Sequence, residues 1–192
     1  MKKENKNRKI AIIGHTKGIG KAIADLYKRK KYEIVGLSRT TGYDLETDQE
    51  KIIEKLVDCE LIVVNAYAKF GQYELLKKIY SQFHHHYKKV VVITSTSGTP
   101  EGKDEDNYGA DYNEYCWHKE HLIKYISDLQ EELFNKPLSV YDVCPDVVDT
   151  DMIKGMWEDL PKLKVHEVAD TVRYCFESPF NINKIVMQKN VG

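Results

Sequence analysis

Short apolar runs alternate along the chain with longer stretches in which apolar side chains recur every three or four residues. The short runs are KIAII (9–13), YEIVGL (32–37), LIVV (61–64), KVVVIT (89–94), LSVYDV (138–143) and KIVMQ (184–188). Most are apolar almost throughout rather than in alternation, as strands covered on both faces must be. After the first run, Ile19, Ala22, Ile23, Leu26 and Tyr27 fall at i, i+3, i+4, i+7 and i+8, with Lys21, Asp25 and Lys28 on the other side. That spacing predicts a helix laid on a sheet. The segments 48–57, 69–86, 112–134 and 166–176 follow the same pattern. A β-α alternation of this kind requires right-handed crossovers and a parallel sheet, so the expected fold is α/β and doubly wound.

A length of 192 residues suits one compact domain that closes its core without disulfides or a structural metal. With 29 basic against 30 acidic side chains, nothing suggests a nucleic-acid surface. Cys59, Cys116, Cys144 and Cys175 show no CxxC spacing, which argues for reduced thiols and against a zinc site. The aliphatic runs fall far short of the roughly 20 residues of a membrane span. The basic N-terminus is followed by too short an apolar run for a secretory signal, so a cytoplasmic location is expected. His84, His85 and His86 are consecutive and point in different directions on a helix, which suits a polar helix end better than a metal site. The polar stretch 96–113, with three glycines and a block of acids, is a candidate mobile loop at a site.

The stretch GHTKGIG (14–20) directly follows the first predicted strand and opens the first helix. In that setting Gly14 permits a tight turn, Gly18 lets backbone approach a pyrophosphate at the helix N-terminus, and Gly20 allows close helix packing. His15, Thr16 and Lys17 fill the interval, and Ile19 begins the apolar face. After the second strand, where Rossmann domains read the adenosine ribose, stand Ser38 and Arg39; with Lys17 they suit a 2′-phosphate. In the segment YCWHK, Tyr115 and Lys119 begin a stripe continued by Leu122, Ile126, Leu129 and Leu133. A lysine on a core stripe needs a partner, such as a cofactor ribose or the tyrosine oxygen.

With its G-x-x-x-G-x-G spacing the chain resembles the short-chain dehydrogenase/reductase family, and four further motifs follow in that family's order. Asp44 resembles the aspartate that caps the adenine amino group. Asn65 and Ala66 in VVNAYA match the family's NNAG, with Tyr67 at the usual glycine. TSTSG resembles ISSxxG and puts the catalytic serine at Ser95, with Ser97 as the alternative. Tyr115 and Lys119 match YxxxK, and Pro145, Val148 and Thr150 match PGxVxT, with Asp146 at the glycine. There an aspartate introduces a carboxylate and, if the glycine angle is kept, backbone strain.

The resemblance implies a single Rossmann domain over 1–192 in the strand order 3-2-1-4-5-6, with a short substrate lid at about 152–165. It implies an NADP(H)-dependent oxidoreductase, NAD(H) remaining open, acting on a small carbonyl or alcohol, with a homodimer or homotetramer as the working form. Tyr115 would be the acid/base, Lys119 would lower its pKa and hold the nicotinamide ribose, Ser95 would orient the substrate oxygen, and Thr150 would meet the carboxamide. The family's fourth catalytic residue, an asparagine, is missing, and Gln72 is its candidate stand-in. Two other readings compete: a nucleotide-binding sensor or scaffold without redox chemistry, and a nucleotide-sugar epimerase or dehydratase. The latter usually carries a C-terminal substrate domain, for which the chain after Thr150 is too short.

Overall fold

The first strand, β1 (Lys9–Ile13), sends Ile10 and Ile12 to one face of a sheet and Ala11 and Ile13 to the other, and all four are buried. Strands β2 (Glu33–Leu37), β3 (Leu61–Val64), β4 (Lys88–Ile93), β5 (Leu138–Pro145) and β6 (Lys184–Met187) complete a parallel sheet. Helices α1 (Gly18–Arg29) and α5 (Val165–Glu177) cover the Ile10 face, where Tyr27, Val172 and Phe176 meet Val91 and Tyr141. The other face is covered by α2 (Gln49–Leu56), α3 (Gly71–Phe83) and α4 (Gly109–Glu132), through Ile52, Leu76, Ile79 and Ile126. This computed structural model describes residues 8–100 and 109–189.

The strand order is β2-β1-β3-β4-β5-β6. The doubly wound parallel sheet is the expected one, but 3-2-1-4-5-6 puts two strands beyond β1 and the chain has one. Between Leu37 and Leu61 stands one short α-helix, Gln49–Leu56, which provides a single crossover back past β1. The switch point therefore lies between β1 and β3, where chains leave the sheet in opposite directions and open a crevice at the strands' carboxyl ends.

Two element boundaries differ from expectation. Helix α3 stops at Phe83, and the histidine run follows its last turn, with His84 at the C-cap bonded through Nδ1 to the Tyr80 carbonyl. The expected loop 96–113 is a 3-10 turn at Thr96–Gly98 followed, from Gly109, by helix. Residues 101–108 of that expected loop lie outside the described residues. Cys59, Cys116, Cys144 and Cys175 are all buried. No helix among the described residues is long and apolar enough to cross a membrane.

Candidate active site

The glycine turn ties three strand ends together. Gly14, at φ +87, donates from its N–H to the Leu37 carbonyl at 2.7 Å, and its own carbonyl accepts from Asn65 Nδ2 at 3.1 Å. The backbone N–H groups of Asn65 and Ala66 both donate to the Ile13 carbonyl. A Cβ at Gly20 would lie 2.0 Å from the Gly14 carbonyl oxygen, so α1 starts as near the turn as backbone allows. His15 lays its ring over Gly36, and Thr16 and Lys17 are exposed. Lys17 is the N-cap of α1 but makes no side-chain cap, and the first turn, which includes Ile19, contains no acid. Its free N–H groups and positive dipole end are the chemistry of an anion cradle. A Cβ at Gly18 would lie 3.3 Å from the Thr150 methyl, so the cradle adjoins the segment after β5. These features fit a dinucleotide pyrophosphate.

At the end of β2, Ser38 caps a short 3-10 turn over Arg39–Thr41 and shares hydroxyl contacts with Thr40 and Thr41. The Gly14 to Leu37 bond places this segment beside the glycine turn. Among the described residues, neither Lys17 nor Arg39 has an ion-pair partner. Asp44 is half-buried, and its Oδ1 accepts from the Glu46 N–H at 2.8 Å.

Ser95, Tyr115 and Lys119 come together where β4 ends against α4. Ser95 accepts from the Ser97 N–H, and its hydroxyl donates to Ser97 Oγ at 3.1 Å. Tyr112 also donates to Ser97 Oγ, at 3.0 Å. Burial pushes Tyr115 up to about 12, with Ser95 pulling the other way. Lys119, expected to hold that phenol down, gives its hydrogen bonds to other groups. Its Nζ lies 5.6 Å from the Tyr115 ring centroid and donates instead to Gln72 Oε1 at 2.6 Å and to the Ile93 carbonyl at 3.2 Å. Its own burial, only partly opposed by Asp142, pulls it down to about 8. At Lys119 desolvation thus outweighs the charge of its neighbour.

Gln72 does stand at the site. It is 2% exposed, and its Nε2 donates to the Val64 and Ile93 carbonyls at 3.2 and 3.1 Å. One amide therefore joins the ends of β3 and β4 and holds the lysine.

Past β5, Pro145 ends the strand, Val148 is buried and pairs with Leu163 as a bridge, and Thr150 caps a 3-10 turn at Asp151–Ile153. Asp146 does not adopt the glycine-like angle: positive φ among described non-glycine residues is confined to Lys31, Lys69, Asn135 and Trp157. Its Oδ1 accepts from Thr96 Oγ1 at 2.9 Å, tying the two strand-end segments across the crevice. The chain beyond Thr150 returns to the site, with the Leu163 N–H bonded to the Val147 carbonyl at 2.8 Å. Thr94, excluded from the site by strand alternation, donates to the buried Asp142. Asp142 and His118 were not foreseen: one is a carboxylate inside a strand run, the other the unpatterned residue before Lys119.

No family model matches the sequence, and no curated protein matches it. Among solved structures, the 3-alpha-hydroxysteroid dehydrogenase from Pseudomonas sp. B-0831 complexed with NADH aligns with a TM-score of 0.75 at 17% identity, over 93% of this chain and 94% of that one. This is the short-chain dehydrogenase/reductase fold. The same fold is shared with a short chain dehydrogenase from Burkholderia cenocepacia J2315 in complex with NADP, with a TM-score of 0.76 at 13% identity over 95% and 89% of the two chains. It is shared also with the 3-ketoacyl-(acyl-carrier-protein) reductase from Brucella melitensis complexed with NADH, with a TM-score of 0.76 at 15% identity over 94% and 95%.

Proposed function

We propose that the chain is an NADP(H)-dependent oxidoreductase acting on a small carbonyl or alcohol. The observation that carries the reading is the buried Lys119 beside the Tyr115 ring, with the buried Ser95 at the end of β4, in the crevice that begins at an uncapped glycine turn. The cofactor would supply the hydride. Gly14, Thr16, Gly18, Ile19 and Gly20 would form the pyrophosphate cradle, and Asn65 and Ala66 would wall it on the β3 side. Asp44 would meet the adenine. Pro145, Val148 and Thr150 would receive the nicotinamide end.

In reduction Tyr115 gives its proton to the oxygen on which negative charge builds, and in oxidation it takes one back. Ser95 orients that oxygen. Lys119, held by Gln72, supplies positive charge next to the phenol as it ionises and binds the ribose. A phenol raised to about 12 keeps its proton well, which suits the donor role in reduction. Preference for the phosphorylated cofactor is supported by Lys17 and Arg39, which are free among the described residues, and by the Ser38 hydroxyl. Segment 152–165 is proposed as a short substrate cover, and a cytoplasmic homodimer or homotetramer as the working form.

Titration with NADPH and NADH, followed by nicotinamide fluorescence, tests the reading. Tight NADPH and weaker NADH binding are expected. Tyr115→Phe is expected to keep the affinity and lose turnover with a carbonyl probe; retained turnover would overturn the role given to Tyr115. Tyr67, whose ring stands against Tyr115 where a glycine was expected, favours the second reading, a nucleotide-binding protein without redox chemistry. Nucleotide binding with no turnover of a carbonyl panel would support that one.

A further inference from the structure

Tyr67 follows Ala66, whose backbone meets the glycine turn, and its ring contacts the Tyr115 ring edge-on at 4.8 Å between centroids. Lys119 Nζ lies 5.7 Å from the Tyr67 centroid. The Tyr67 hydroxyl is 3.0 Å from His118 Nδ1. His118 is 4% exposed and packs against Phe70 and Trp117, and its Nε2 is 3.8 Å from Glu114 Oε1, one turn earlier on α4.

The direction of the hydrogen bond follows from these contacts. Burial holds the imidazole below the ordinary histidine range; Lys69 and His121 act in the same direction and Glu114 opposes them. A neutral imidazole carries one N–H. The Glu114 carboxylate, too far for a hydrogen bond but nearest Nε2, favours the tautomer with that N–H on Nε2, which leaves Nδ1 a lone pair. Tyr67 must then donate its proton to His118, which leaves only lone pairs of its oxygen for anything entering beside Tyr115. Tyr115 has a hydroxyl proton to give and suits a carbonyl. Tyr67 suits the opposite partner.

We propose that Tyr67 is a further binding residue of this site, a hydrogen-bond acceptor for a hydroxyl of the ligand beside Tyr115 and Lys119, with His118 and Glu114 setting it as an acceptor. The proposal rests on the oxidoreductase reading, in which the hydroxyl belongs either to the nicotinamide ribose or to the alcohol form of the substrate. When His118 is protonated both its nitrogens donate, Tyr67 loses its acceptor, and its hydroxyl turns from acceptor to donor.

Tyr67→Phe keeps the ring and removes only the oxygen. It is compared with the unchanged chain for binding of NADPH, binding of an adenosine bisphosphate that lacks the nicotinamide ribose, and KM for cyclohexanol with NADP+ as an alcohol probe. If the ribose supplies the hydroxyl, NADPH weakens about three- to tenfold at neutral pH while the adenosine bisphosphate does not. If the substrate supplies it, NADPH is unchanged and KM rises by a similar factor. In both cases the difference between the two chains closes at acid pH as His118 charges. Nitrogen NMR of the ligand-free chain is expected to show His118 protonated on Nε2, and titrating higher in Tyr67→Phe, because a donor to the neutral form has gone. A folded Tyr67→Phe with unchanged affinity and KM overturns the proposal, and so does a proton on Nδ1. Failure of the unchanged chain to bind either nucleotide sinks the oxidoreductase reading instead, and the NMR result then decides by itself whether Tyr67 presents an acceptor.

Discussion

Lys119 is a cation placed among apolar side chains, 3% exposed, and its partners are an amide oxygen and a backbone carbonyl rather than a carboxylate. Such a charge costs stability in proportion to how completely it is desolvated. Lys119 titrates at about 8 in the folded chain and near 10.5 when unfolded, so between those values the unfolded chain binds more protons. Unfolding free energy should therefore rise with pH across that window and be flat in this group below it, where the cost of the buried charge is fully present. Urea unfolding of Lys119→Met is expected to lack that rise; an identical pH slope in both chains would contradict the assignment. Gln72→Leu would leave the ammonium with the Ile93 carbonyl as its one remaining partner and remove the amide donor from the Val64 carbonyl, at an expected cost of about 3 kcal/mol. Gln72→Glu should do the reverse to the titration, holding Lys119 charged to higher pH and moving the alkaline limb of the activity profile upward. Spacing placed Tyr115 and Lys119 on one core stripe, because YxxxK on a helix is a local pattern, whereas Ser95 and Gln72 were named only through the resemblance. The contacts of Gln72 were not legible, since the residues it joins lie 8, 21 and 47 positions away.

At the scale of elements, the site is made where α4 presses on the 3-10 turn after β4. A Cβ at Gly98 would stand 2.6 Å from the Lys119 carbonyl carbon and 2.7 Å from its Cβ, so the absence of a side chain sets how near the helix comes. Gly98→Ala must move backbone against backbone. A shift of roughly 1 Å in a catalytic group can cost about a hundredfold, so kcat is expected to fall by that order while nucleotide affinity, set largely by the distant glycine turn, changes little. Equal losses in both would show that the turn transmits strain to the cofactor side. The helix itself was legible from its apolar stripe, but its start was placed at 112 rather than Gly109, because the polar composition of its first turn is also that of a loop.

At the scale of the molecule, a nucleotide bound in the crevice would contact the ends of β1, β2, β3 and β5 together, and binding would stabilise the whole sheet. NADPH at a hundred times its dissociation constant should add about 2.7 kcal/mol to unfolding, with a corresponding rise in Tm. The gain with NADPH over NADH should shrink in Arg39→Ala and Lys17→Ala, and shrink further with added salt, because exposed charges are screened. A rise equal for both nucleotides in every chain would remove the phosphate reading. The parallel sheet, its covered faces and the glycine turn were determined by the sequence alone, because each rests on a short-range period or on the freedom of a glycine. Tertiary structure decided the rest. It left one strand beyond β1 where two were expected, gave Asp146 an ordinary backbone with a threonine to hold it, and turned Lys119 from Tyr115 toward Gln72. It also set Tyr67 against His118. Each of these depends on which distant groups share a space closed to water, and there desolvation and hydrogen-bond partners, neither of them encoded in local spacing, determine where a proton or a charge resides.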